Sequence, residues 1–308
     1  SWKRNSIRKK LIFLNQNVSI YCKKKKIVDT IKQIINKFNL ISKKSLGQNF
    51  ILDENITDKI VRFSDVKNHF VLEIGPGPGC LTRSLIKAGV KKIIAVEKDS
   101  KCVNIINYQK EIFLNKVILI EGDFLKEQIF NKIIKEIRKN KKKIIVISNL
   151  PYKTAIPILS KILKNRFFFK KLILMFQKEQ AERILAKKNT KSYGRISVIA
   201  QWLCGIEKKM HLSPNYFFPK PKIDSLILKF KFKKKIKKVN NEIFLVELIK
   251  KCFNQRRKTI KNNLKKIVNF SDQILINCKI NPKKRPEELD FNDFINLSNF
   301  FSKNKEIL

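Results

Sequence analysis

Histidine is nearly missing from this 308-residue sequence: only His69 and His211 occur, and none of the six cysteines stands in a C-x-x-C pair. Ligands at zinc spacing are therefore lacking, and no metal site is expected. Cys22, Cys80, Cys102, Cys204, Cys252 and Cys278 are scattered along the chain, unlike the framework of a disulfide-stapled domain. They read as buried, inert thiols in a reducing compartment. Charge-free runs fall well short of the ~18 residues a spanning helix needs, so no transmembrane segment is predicted. Acidic residues are scarce as well, 25 against 69 Lys and Arg, which leaves a formal charge of +44. Glycine is rarer still, with eight in the whole chain, so a place where several meet carries information.

What is present is enough for a core: 43% of residues are apolar and 23 are Phe, which excludes global disorder. The length suggests about two domains. Lys, Ile, Asn and Phe are all over-represented, the composition an A+T-rich coding sequence produces, and this offers a bland source for part of the charge. Whatever its origin, so basic a chain is drawn to polyanions, because each neutralised phosphate releases counterions. Nucleic acid is the expected partner, ahead of an anionic membrane surface.

Residues 1–41 are basic, contain Asp29 as their only acid, and carry Ile27, Val28, Ile31, Ile34, Ile35 and Phe38 at helical spacing. An organellar targeting segment and an RNA-binding extension fit equally, and residues 1–42 are read as lying outside the core domain. From residue 69 onward, short β-branched runs (69–73, 92–97, 117–121, 144–148) alternate with helical patterns (80–87, 100–108, 126–138, 155–164). That alternation predicts an α/β fold, a Rossmann-like sheet of about seven mostly parallel strands with helices on both faces. Further strands are expected at 171–177, 197–204 and 225–232, with an antiparallel edge. The lysine run 233–238 ends the pattern, so a domain at 43–233 is expected to be followed by a small helical domain at 239–308.

Three of the eight glycines fall in Glu73-Ile74-Gly75-Pro76-Gly77-Pro78-Gly79, between the first strand and the first helix of this series. Glycines there permit positive φ and close backbone approach, and the following helix offers its N-terminus to a nucleotide-like ligand. A dinucleotide fingerprint would place its third glycine at position 80, which is Cys80. The form E-x-G-x-G-x-G is instead similar to the S-adenosyl-L-methionine loop of class I methyltransferases. Glu97, ending the second strand, is placed to take both ribose hydroxyls, and Asp123, after the third, to accept from the adenine amino group. At the fourth strand tip stands Asn149-Leu150-Pro151-Tyr152. Hydrogen bonds from a base amino group to the Asn149 side-chain oxygen and the Leu150 carbonyl would favour a tetrahedral nitrogen and free its lone pair. Tyr152 can stack on a flipped base, and Pro151 stiffens the turn.

Together with Leu46-Gly47-Gln48-Asn49-Phe50, Gln177-Lys178-Glu179, Tyr193-Gly194-Arg195-Ile196-Ser197, the segment from Phe217 to Ser225 and Gln255-Arg256-Arg257-Lys258, these motifs resemble, over residues 43–288, the small-subunit ribosomal RNA adenine dimethyltransferase family. The resemblance implies dimethylation of two adjacent adenines in a 3′-terminal hairpin loop of small-subunit rRNA, coupled to ribosome assembly. It implies contacts to S-adenosyl-L-methionine from Gln48, Asn49, the backbone of Ile51, Gly75, Gly77, Glu97, Asp123 and Asn149. Asn149, Leu150, Pro151 and Tyr152 would form the catalytic turn, with Phe217, or its neighbour Phe218, closing the sandwich on the base. Arg195, Lys220, Lys222, Arg256, Arg257 and Lys258 would hold RNA, with Lys261, Lys265 and Lys266 adding to the basic C-terminal face. Implied partners are rRNA and the immature small subunit, with no membrane, for a monomer in a bacterial cytoplasm or an organelle. A non-catalytic assembly or transcription factor on this fold, or a methyltransferase of another adenine, are the competing readings.

Overall fold

The structure, a computed structural model, describes residues 29–43, 46–265 and 272–303. Cys22, Lys266 and the first 28 residues lie outside the described residues. The strands are β1 (Phe50–Ile51), β2 (Phe70–Ile74), β3 (Lys92–Glu97), β4 (Val117–Glu121), β5 (Ile144–Asn149), β6 (Phe169–Gln177), β7 (Cys204–Leu212), β8 (Phe217–Phe218) and β9 (Ser225–Phe232). The helices are α1 (Ile31–Lys37), α2 (Glu54–Arg62), α3 (Cys80–Lys87), α4 (Ser100–Tyr108), α5 (Glu127–Lys139), α6 (Ala155–Lys164), α7 (Lys178–Leu185), α8 (Arg195–Leu203), α9 (Glu242–Asn254), α10 (Ile260–Leu264), α11 (Asp272–Asn277) and α12 (Phe291–Lys303).

Seven strands form one sheet in the order β4-β3-β2-β5-β6-β9-β7. The first five are mutually parallel, and β9 runs antiparallel to both β6 and β7. Alternation along each buried strand splits the apolar residues between two layers. Leu72, Ile94, Val146 and Leu172 face the layer of Ile133, Ile137, Leu159 and Ile162 from α5 and α6. Val71, Ile93, Ile145 and Ile173 face Ile60, Val61, Leu81 and Leu85 from α2 and α3. The strand order reverses between β2 and β5, and their ladder pairs only Val71 with Ile145 and Leu72 with Val146. Beyond those pairs the tips part, which opens a crevice at the carboxyl ends of the strands.

Two expectations need correction. Residues 197–204 form most of α8 rather than a strand, and the edge strand is the next segment, β7. A short apolar run has no decisive period, and local hydrogen bonding settles it: the Gly194 N–H donates to the Ser197 hydroxyl (3.0 Å), which donates to the Arg183 carbonyl (2.5 Å). The strand itself was masked by its polar edge residues Glu207, Lys208 and Lys209. The second correction concerns residues 29–42, which do not stand apart from the core. Thr30 and Gln33 form a capping box at the start of α1, and Ile31, Ile34, Ile35 and Leu40 pack with Phe50, Cys80, Cys102 and Ile105. Ile34, fully buried, contributes roughly 1.5 to 3 kcal/mol of transfer free energy.

After β9 the described residues are helical or in turns, with no further strand. Leu245, Leu248, Phe294 and Leu297 from α9 and α12 share one cluster with Trp202, Leu203 and Phe230, so the apolar core runs unbroken past the lysine run. The turn leaving β4 is tight: Gly122 has φ +144°, and a Cβ there would stand 2.5 Å from Cδ1 of Ile129. Gly194, by contrast, has nothing within 4 Å of that position and an extended φ of −164°. Gly122→Ala should cost about 1 to 3 kcal/mol in urea unfolding, and Gly194→Ala should stay within about 0.5 kcal/mol of wild type.

Candidate active site

The crevice is a cleft open to solvent, whose walls are the glycine loop after β2, the tips of β3 and β5, the turn after β4, and residues 46–51. Gly75 and Gly77 hold φ of +72° and +56°. A Cβ on Gly77 would meet the Phe50 ring at 2.8 Å, so the glycine is what lets β1 close over the loop. A Cβ on Gly75 would stand 3.7 Å from the Pro151 ring, an ordinary contact, so it is the φ of +72° that calls for glycine at this cleft-lining position.

The carboxylates do different jobs. Glu97 is buried and accepts from the backbone N–H groups of Lys98 (2.7 Å) and Asp99 (2.8 Å) on one oxygen and of Gly77 (3.1 Å) on the other. Burial raises its pKa and these N–H donors partly offset the rise. With four lone-pair positions and three taken, the carboxylate has one left, on Oε2. Asp123 also feels burial, but the Lys98 ammonium at 2.9 Å and the Leu125 N–H at 2.9 Å outweigh it and lower its pKa. Glu73 is structural: 1% exposed, it accepts from the Thr82 hydroxyl (2.8 Å) and ties the loop to the first turn of α3.

Residues 46–51 are fixed by partners that sequence reasoning overlooked. The Gln48 amide donates to Asp99 (2.9 Å) and accepts from the Lys43 N–H (2.7 Å), while the Lys43 ammonium reaches the same Asp99 at 3.1 Å. Asp99 also caps α4 through the Lys101 N–H. Burial opposes its charge, yet Gln48 and Lys43 more than compensate and its pKa falls. The only sequence signal was an acid immediately before a helical pattern. Gln48 is thus engaged at both ends as a brace for the wall. Asn49 presents its carbonyl to the Asn149 amide (2.9 Å), and Ile51 pairs with Phe217 where β1 meets β8.

The β5 turn is held from both sides. Ser148, 3% exposed, accepts from the Ile74 N–H (3.1 Å) and donates to the Ile74 carbonyl. The Tyr152 hydroxyl bonds Ser225 at 2.6 Å, its main-chain carbonyl accepts from Gln180 (2.9 Å), and burial raises its pKa. Asn149, Leu150, Pro151 and Tyr152 all line the cleft. Neither Phe217 nor Phe218 does: Phe217 is 5% exposed and packed with Ile51, Leu212 and Ile227, and Phe218 beside it is 48% exposed.

Of the RNA-contact candidates, Arg195, Lys220, Lys222, Arg257 and Lys258 are exposed. Arg256 is not free. It is ion-paired with Glu287 and donates to the Thr190 carbonyl (3.1 Å), joining the turn before α10 to the loop after α7. The described cysteines are all buried, and burial pushes the thiols of Cys80, Cys204 and Cys252 up to about 12. No group of metal-ligating side chains occurs among the described residues, and no described helix is long and apolar enough to cross a membrane.

Residues 39–303 match the model of the family described as ribosomal RNA adenine dimethylase. The chain belongs to this family. It is 39% identical over 269 residues to the ribosomal RNA small subunit methyltransferase A of Wolbachia pipientis wMel, covering 86% of this chain and 91% of that protein. With the protein of the same name from Mycoplasma mobile it shares 38% over 252 residues, 81% and 94% of the two chains. Among solved structures, a dimethyladenosine transferase from Plasmodium falciparum is 28% identical and superposes with a TM-score of 0.68 over 82% of this chain and 97% of that one. The 23S rRNA methyltransferase ErmE, 18% identical, shares the class I methyltransferase fold at a TM-score of 0.58 over 82% of this chain and all of that one. In this adenine dimethylase the helix α1 lies before the matched segment, yet it packs under the cleft wall.

Glu73 gives the site a pH signature. Burial, together with the neighbouring charge of Glu97, raises its pKa from 4.5 to about 8. The folded state therefore keeps a proton that the unfolded chain releases above 4.5, and stability falls as pH rises through that window. The slope is up to about 1.4 kcal/mol per pH unit per proton. Glu73→Gln, whose amide oxygen can still accept from Thr82, should flatten this profile and be more stable than wild type at pH 8.5 but not at pH 5. Urea unfolding at the two pH values reads both.

Proposed function

We propose that this chain transfers methyl groups from S-adenosyl-L-methionine to the amino groups of adenines in small-subunit rRNA, giving dimethyladenine, and that two adjacent adenines of a hairpin loop are its target. The observation that carries the reading is the state of Asn149. Its Nδ2 donates one N–H to the Asn49 carbonyl at 2.9 Å, which fixes the amide orientation, and Oδ1 is the acceptor this cleft-lining residue can offer to an N–H₂ group. An amide oxygen beside a main-chain carbonyl, that of Leu150, makes an acceptor pair, and an acceptor pair selects an N–H₂ group.

Gly75, Gly77, the free lone pair of Glu97, Asp123 and Asn49 would hold the cofactor, which supplies an electrophilic sulfonium methyl. The chain's part is positional. Asn149 and the Leu150 carbonyl take hydrogen bonds from the adenine amino group that strengthen as the nitrogen becomes tetrahedral. Tyr152, locked by Ser225 and Gln180, offers a fixed ring for stacking, worth about 1 to 3 kcal/mol. Phe218 is the phenylalanine of its pair with an exposed ring; Phe217 supports β1 from within the core. No protein base is needed before attack on a sulfonium carbon, and the proton leaves to water afterwards. An rRNA loop suits the cleft because its bases can be splayed out.

Asn149→Ala should lower methyl transfer into small subunits by about a hundredfold or more, with cofactor and rRNA affinities falling far less. Wild-type rates in that variant would refute the reading, and wild-type protein that binds subunits but transfers nothing would make it an assembly factor. In RNA binding, Arg257→Gln with Lys258→Gln should lower the salt slope by about 1 per lost phosphate contact. Arg256→Gln should leave that slope alone and reduce stability to urea instead.

A further inference from the structure

The layer that α2 and α3 cover stops short on the antiparallel side of the sheet. On β6 and β9 the residues of that face inside the apolar cluster are Ile173, Met175 and Ile227. The next positions outward on the same face are Lys171, paired in register with Lys231, and Lys229, paired with Ile173 on one side and Glu207 on the other. Neighbouring strands bring such lysines within about 5 Å, and successive ones on one strand within about 7 Å. Like charges directly opposite on a sheet are unfavourable, so this row is costly for the isolated chain.

Glu207 relieves only part of it, binding Lys209 at 2.7 Å and Lys231 at 2.9 Å. Lys171 and Lys229 are half-buried, and among the described residues neither ammonium group has a hydrogen-bond or ion-pair partner. Burial lowers both pKa values. Lys170, Lys229 and Lys231 add to the effect on Lys171 against Asp65, as do Lys231 and Lys209 on Lys229 against Glu207. We propose that Lys171, Lys229 and Lys231 form a docking surface for the phosphate backbone of an RNA segment other than the one that delivers the target base. Asn149 is in register with Met175 on β6, four residues past Lys171, and Lys229 sits opposite Ile173, so the surface lies roughly 12 to 16 Å from the Asn149 turn. A linear array of ammonium groups on a rigid sheet suits a chain of phosphates, and it would give the enzyme a second grip on a large RNA. This inference rests on rRNA being the substrate.

The test compares two variants of equal charge in the full chain: Lys171→Gln/Lys229→Gln/Lys231→Gln and a control, Lys132→Gln/Lys135→Gln/Lys142→Gln, in exposed residues on α5 and just after it. Binding to small-subunit rRNA is measured from 50 to 200 mM salt, beside urea stability and cofactor affinity. The sheet variant should lose about 2 from its salt slope and several-fold in affinity at 150 mM salt, with stability equal to or above wild type; the control should stay close to wild type. Equal slopes in the two variants overturn the proposal, as does competition by phosphatidylserine vesicles as effective as rRNA itself. Loss of methyl transfer by the wild type, with the slope difference intact, would overturn the assigned activity and leave the docking surface standing.

Discussion

Two loops have to meet across a gap for this cleft to exist, and one buried hydroxyl holds them. The ladder between β2 and β5 ends at Leu72 and Val146, two residues before the tips that carry the glycine loop and the Asn149 turn. Ser148 continues the pairing with its side chain, accepting from the Ile74 N–H and donating to the Ile74 carbonyl. Both backbone groups of Ile74 are thereby satisfied while the strands spread. Without that bridge a buried donor and acceptor would be left unpaired, at about 1 to 3 kcal/mol each, and the loops would lose their register. Asn149 follows directly, so its bond to the Asn49 carbonyl closes a ring of contacts running through the glycine loop, β5 and the segment ahead of α2.

That segment shows how the outer shell of the protein serves the cleft. Lys43, Gln48 and Asp99 pin it to the tip of β3, and α1 seals it from behind through Ile34 and Phe50. Phe50 in turn touches the space that Gly77 leaves vacant. Electrostatics divides the same way. Carboxylates collect at the strand tips, where N–H groups and Lys98 hold them. Among the described residues, exposed lysines and arginines such as Lys132, Lys135, Lys142, Arg195, Lys220, Lys222, Arg257 and Lys258 lie elsewhere, where a polyanion can reach them.

The sheet and most of its helices were legible because β-branched runs and amphipathic periods report burial directly, and α4 and α6 fall where the pattern places them. The glycine loop was legible because rare glycines at positive φ leave a local trace, and the Asn149 turn because Asn149, Pro151 and Tyr152 stand together at a strand end. What was not legible depended on partners distant in sequence. Nothing local marks Glu73 as the neutralised acid under the loop, since its state follows from burial against Glu97. Arg256 reads as one more cation in a basic motif until Glu287, 31 residues on, takes it. Phe217 and Phe218 are indistinguishable in sequence, and only the pairing of β8 with β1 turns the first inward. The edge strand β7 was hidden because its outward residues face water, and the apolar run before it imitated a strand.

The chemistry proposed for this cleft gives dimethyladenine and no other product. Unmodified small-subunit rRNA in immature particles, incubated with the protein and S-adenosyl-L-methionine, can be digested to nucleosides and analysed by mass. N6,N6-dimethyladenosine should approach two residues per particle. Methyl groups on another base, or adenosine left unmodified while the protein stays bound, would contradict it.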